Sequence, residues 1–194
     1  MKRLLLIGVL GLILPLTSAA QIWTVQTNVL DWAALGTVNA EVGLSVSQHF
    51  SLVAGGRYNP WEFTTHDPEA IVRNQQETAY LGFRYWPWYV NSGFWIAAKA
   101  QYMHSFSNTG IWRAALKEGR NGFGGGLSAG YTFMLSKHFM LSKHFNLELG
   151  VGGWAGVFKE YGFYSSPEKN FVREEGRKKF IYPDQVSLSF VYVF

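Results

Sequence analysis

The sequence predicts an all-β protein, an eight-stranded antiparallel up-and-down transmembrane β-barrel of the outer-membrane type. Three observations carry this expectation. Hydrophobicity alternates with period two along eight segments, tight turns alternate with long polar connections, and the polar face of the strands is nearly free of charge.

Residues 1–20 precede the barrel. Met1-Lys2-Arg3 is a positive start, Leu4 to Leu16 an apolar run, and Ser18-Ala19-Ala20 a small-residue cleavage site. That apolar run falls short of the ~20 residues a membrane-spanning helix needs. Residues 1–20 are therefore expected to be a cleaved signal peptide, and 21–194 the barrel. Charged residues make up only 15% of the chain and aromatic residues 17%, which excludes a disordered segment or a helical bundle. The net charge of +4 includes Lys2 and Arg3, so a basic balance gives no reason to expect nucleic acid. Cysteine is absent, which removes disulfides, thiol chemistry and lipid-acylated cysteine from consideration.

The strands follow in order near 22–30, 38–47, 50–59, 78–86, 93–102, 122–135, 145–157 and 185–194, with no convincing helix between them. In "GFWIAAKAQY", Phe94, Ile96, Ala98, Ala100 and Tyr102 oppose Trp95, Ala97, Lys99 and Gln101. In "FNLELGVGGWAGV", Phe145, Leu147, Leu149 and Val151 oppose Asn146, Glu148, Gly150 and Gly152. The last strand, "QVSLSFVYVF", sets Val186, Leu188, Phe190, Tyr192 and Phe194 against Gln185, Ser187 and Ser189.

Short turns are expected around Ser47 to His49, Trp88 to Ser92 and Ser136 to His144. Long polar connections are expected at Asn59 to Glu77, Ser105 to Asn121 and Lys159 to Pro183, with a shorter one at Asp31 to Gly36 on the same side. A soluble barrel of eight strands would place Lys and Glu on its solvated face. Here the polar face is mostly Gly, Ser, Thr, Asn and Gln. The apolar face carries Trp23, Phe50, Tyr85, Phe94, Phe133 and Phe145 toward the short turns and Tyr58, Tyr102 and Phe123 toward the long connections, as two aromatic girdles would.

The word MLSKHF is written twice, from Met134 to Phe145. "LSKHFNLELG" and the earlier "VSQHFSLVAG" are versions of one hairpin, so the repeat falls in a turn. Six is even, so strand parity is unchanged, and loop closure costs rise only slowly with length.

Candidate sites are few. Glu41, Arg57, Arg84, Lys99 and Glu148 lie on the inward face, where charges must pair or hydrate to survive burial. Glu41 and Arg57 are near enough in sequence register to pair, so a structural network is expected over a conduction path. Phe163, Tyr164, Arg173, Arg177 and Lys178 fall in the longest connection and are the candidate surface-recognition loop. His49, His138 and His144 occupy turns, His66 and His104 lie toward the other end, and none has metal-ligand spacing, so no metal site is expected. A serine hydrolase would need its base and nucleophile on one face, yet His104 and Ser105 are adjacent, and Ser107 shares the difficulty. "GFGGGLSAG" lacks the helix and Lys-Ser/Thr of a phosphate loop. Gly122, Gly124, Gly126 and Gly130 instead share the inward face, making room for Tyr80, Trp86 and Trp154. No catalytic residue and no cofactor are expected.

The stretches "TVQTNVLDWAALGTVNAEVGLSVSQHFSLVAGGRYNPW", "YLGFRYWPW", "GGGLSAGYTFMLSKHFNLELGVGGWAG" with the duplicate removed, and "VSLSFVYVF" resemble the barrels catalogued as domain of unknown function 3575. The resemblance covers essentially the whole chain after residue 20. It implies a Gram-negative outer-membrane protein of eight strands, similar to small OmpA- or OmpX-like barrels; an even strand count with short turns on the periplasmic side places both ends of the mature chain in the periplasm. It supplies no catalytic residues. The expected role is structural or surface-interacting, with lipopolysaccharide as lipid partner and a cell-surface protein or glycan as contact of the outer loops. A lipid A-modifying enzyme and a narrow channel are the alternatives.

Overall fold

The computed structural model describes residues 22–64, 71–107, 117–135, 144–165, 170–174 and 177–194. The expected signal peptide, His66, His138 and most of the MLSKHF repeat lie outside the described residues.

The chain closes an eight-staved antiparallel barrel. Its walls are β1 (Trp23–Asn28), β2 (Val38–Ser45), β3 (Phe50–Asn59), β5 (Ile71–Tyr85), β6 (Gly93–Ser107), β7 (Lys117–Met134), β8 (Phe145–Ser165) and β10 (Lys178–Val193). Two short strands extend existing staves. β4 (Glu62–Thr64) continues the line of β3 along β5, and β9 (Asn170–Glu174) continues that of β10 along β8. Closure is made by β1 against β10, from Thr24 opposite Val193 to Asn28 opposite Ser189.

The barrel is inside-out relative to a soluble fold. Glu148, Thr132 and Ser189 are almost fully enclosed, while Ile181 is 82% exposed, Leu127 72% and Leu81 68%. Of the two aromatic rings of the outer face, Trp23, Phe50, Tyr85, Phe94 and Phe133 sit near the short turns and Tyr58 and Phe123 near the opposite end, all exposed.

Three differences from the sequence reading concern extent. The described parts of the connections expected at 59–77, 105–121 and 159–183 are largely strand. β5 begins at Ile71, β6 reaches Ser107, and β8 runs 21 residues to Ser165, where it meets Asn170 of β9. Backbone ladders form these outer reaches whatever the side chains, so no sustained apolar alternation announces them. Because β1 has only 6 residues, one wall is tall and the other low.

The fourth difference is a helix. Residues expected as a simple turn form α1 (Val29–Ala33), which Asn28 caps by accepting from the Leu30 N–H. The same Asn28 amide extends the ladder it ends: its Nδ2 donates to the Val186 carbonyl at 3.3 Å, and its Oδ1 accepts from the Leu188 N–H at 3.0 Å. Leu35 and Gly36, both left-handed at φ 56° and 71°, turn the chain out of the helix.

The two His-Phe turns do have a shared construction. The His49 carbonyl accepts from Trp86 N–H at 2.8 Å while its Nδ1 lies 3.0 Å from the Trp86 carbonyl. His144 repeats this on Val193, at 2.8 and 2.7 Å. A carbonyl only accepts, so each Nδ1 carries the proton. Each ring also stacks on a tyrosine, Tyr89 for His49 and Tyr192 for His144. These histidines clasp a turn to the end of the neighbouring strand.

Candidate functional site

The inward faces of β2, β5 and β8 bring three charges together in the lumen. Arg84 reaches across with both ends of its guanidinium: Nη2 lies 2.6 Å from Glu41 Oε1 and Nη1 lies 2.9 Å from Glu148 Oε2. Planar guanidinium suits this role, since one rigid fork serves two carboxylates. Glu41 also accepts from Gln26 Nε2 at 2.9 Å and from the Tyr80 hydroxyl at 2.7 Å, and Glu148 from the Thr132 hydroxyl at 3.0 Å. Trp95 lies with its ring centroid 4.3 Å from the Arg84 guanidinium carbon, and Lys99 stands over the Tyr80 ring at 4.9 Å.

The pairing within the network differs from the expected one. Glu41 is taken by Arg84, whereas Arg57 binds Asp31 at 3.0 Å. Asp31 sits on α1 and lines a small polar pocket with Gln26, Asn39, Glu41, Arg57 and Tyr80, with room for about one water molecule. The five charges expected on the inward face are three bases and two acids. With Asp31 added, Asp31, Glu41 and Glu148 balance Arg57, Arg84 and Lys99. Nothing in the local sequence marks Asp31, because its place depends on α1 folding over the low wall.

Aromatic residues fill the lumen on both sides of this layer. Toward the short turns, Trp86 and Trp95 are buried with ring centroids 6.3 Å apart, and Trp86 Nε1 donates to Ser51 Oγ at 3.1 Å. Toward the tall end, Phe180 packs 4.3 Å from both Trp154 and Phe158, with Tyr161 and Met103 beside them. The inward glycines are close-approach positions, but their occupants differ from those expected. A Cβ on Gly130 would strike the Trp95 ring at 2.4 Å, and one on Gly122 the Phe158 ring at 2.6 Å. Gly126 faces Lys99 and Gly124 the Ala155 backbone, while Tyr80 lies over Gly55 and Trp154 is not the nearest side chain to any of the four.

The expected recognition loop is a β-hairpin instead. Phe163 and Tyr164 belong to β8 and Arg173 to β9, their side chains lying outside what the structure describes. Arg177 and Lys178 are exposed at the start of β10, with Lys178 Nζ 4.0 Å from the Tyr161 ring centroid. His104 and Ser105 pair with Glu77 and Gln76 on a regular stretch of β6, so they point to opposite faces. The nearby irregularity belongs to β7, where Asn121 is left-handed at φ 49°.

A family model described as a protein of unknown function (DUF3575) matches residues 5–194. No curated protein and no solved structure matches the chain.

Proposed function

This chain belongs to the DUF3575 family of proteins of unknown function, and we propose that it is an integral outer-membrane β-barrel of Gram-negative type. Its role in this reading is structural or surface-interacting, without catalysis. The observation that carries the reading is the inverted distribution of polarity. A closed wall exposes a continuous apolar band bounded by aromatic rings, and it buries charges and hydroxyls within. Water would penalise that surface, whereas a bilayer requires it, since only closed barrels satisfy every backbone group in hydrocarbon when helices are absent.

Short turns face the periplasm in this reading and the tall end faces outward, carrying the β8–β9 hairpin to cell-surface proteins or glycans. The aromatic packing above and below Arg84 favours a structural interior over a channel. Opposed faces for His104 and Ser105 give the lipid-modifying alternative no nucleophile–base pair there.

Heat-dependent gel mobility tests the proposal. The native barrel is expected in the outer-membrane fraction, migrating differently before and after boiling because closure leaves no free edge from which to unravel. Recovery from soluble periplasm without detergent would overturn it.

A further inference from the structure

We propose that the outward face of β6, β7, β8 and β10 near the tall end is a binding site for a phosphorylated glycolipid of the outer leaflet, its phosphate held between Lys159 and Lys179. The inference rests on the outer-membrane reading and assigns that wall a specific lipid chemistry.

Pairing registers place Tyr102 opposite Phe123, Phe123 opposite Val157, and Val157 opposite Lys179. These four residues form one row across four adjacent strands. Lys159 lies two residues beyond Val157 on the same face of β8, diagonal to Lys179, and such neighbours are about 7–8 Å apart. Both lysines are exposed, and no carboxylate among the described residues pairs with either. Two flexible ammoniums at that spacing repel each other unless an anion sits between them.

The surface beneath supplies the rest of a lipid site. Lys159 Nζ stands 5.4 Å from the Phe123 ring centroid, and the Phe123 and Tyr102 rings are 5.2 Å apart. The two rings, tilted by 56° to each other, form an aromatic ledge beneath Lys159 against which a sugar face can rest. The next row inward is Ala100, Gly125, Ala155 and Ile181. A Cβ added at Gly125 would meet nothing nearer than 3.6 Å, so this floor is low and open. Leu127 and Ile181 rise on its borders, both strongly exposed. The result is a shallow apolar trough capped by a row that holds the aromatics and Lys179, with Lys159 one step beyond, so that acyl chain, sugar and phosphate of such a lipid each meet matching chemistry.

The test uses the full barrel reconstituted in three vesicle compositions: phosphatidylethanolamine alone, with lipopolysaccharide, or with lipopolysaccharide stripped of its lipid A phosphates. Re-extracted barrels are examined for retained lipid by native mass spectrometry. Wild type should retain the phosphorylated glycolipid and roughly tenfold less of the stripped form, as expected for losing a charge-assisted contact. Lys159→Ala with Lys179→Ala should match that loss while keeping the heat-dependent gel shift, and the double Lys→Arg variant should restore retention. Equal retention of both lipids by wild type, or of the phosphorylated lipid by the double alanine variant, overturns the site alone. Failure of wild type to insert into any vesicle overturns the membrane reading and the site with it.

Discussion

Arg84 Nη1 donates to Glu148 Oε2 at 2.9 Å, joining strands that face each other across the lumen from positions 64 residues apart. With Glu41 on the other arm, this one guanidinium ties three walls of the barrel together. Removing it would leave two carboxylates enclosed without a cation. Arg84→Met should cost on the order of 3–5 kcal/mol in urea unfolding followed by tryptophan fluorescence. Adding Glu41→Gln and Glu148→Gln should recover much of that loss, since neutral amides need no counter-charge. An Arg84→Met barrel as stable as wild type would mean that the network does not hold the walls.

Conductance should be low. Aromatic rings close the lumen on either side of the charged layer, so wild type in planar bilayers is expected to show little steady current. Arg57→Ala releases Asp31 and loosens the mouth under α1, so intermittent openings should become more frequent. Large, lasting currents from wild type would favour the channel alternative.

The repeated MLSKHF has a geometric test. In the first His-Phe turn, Ser45 pairs with Ser51, leaving five connecting residues. In the second, Met134 pairs with Asn146, leaving eleven, 135 to 145. Deleting Met140 to Phe145 restores a five-residue connection and puts His138 where His144 clasps Val193. Folding yield should stay near wild type, with a gain of about 0.6 kcal/mol from the shorter loop. Removing five residues instead leaves six and mismatches the turn to the strand parity it joins. Equal stability of the two deletions would show that the clasped geometry is not what sets this turn.

His49 offers a more local check. Its Nδ1 bond to the Trp86 carbonyl should contribute about 1 kcal/mol, so His49→Phe, which keeps the ring against Tyr89, should lower stability by roughly that amount. No change in the unfolding midpoint would reduce the histidine to a turn residue without a clasp.

Alternation is a local property: successive side chains of a strand point to opposite faces whatever the strand pairs with. For that reason the eight staves, the outward Ile96, Leu149 and Val151, and the inward Glu41, Arg84, Lys99 and Glu148 were legible in the sequence alone. Strand length was not. Beyond the apolar band the outer reaches of β5 to β8 take their strand form from backbone ladders, which need no side-chain periodicity, and charged residues there imitate a loop. Partner choice was not legible either. Whether Glu41 meets Arg57 or Arg84 depends on barrel closure, which sets β2, β5 and β8 around one lumen, and on α1, which carries Asp31 over the low wall to Arg57. Period-two chemistry thus decides the face each residue takes, and only closure decides which residues meet across the interior.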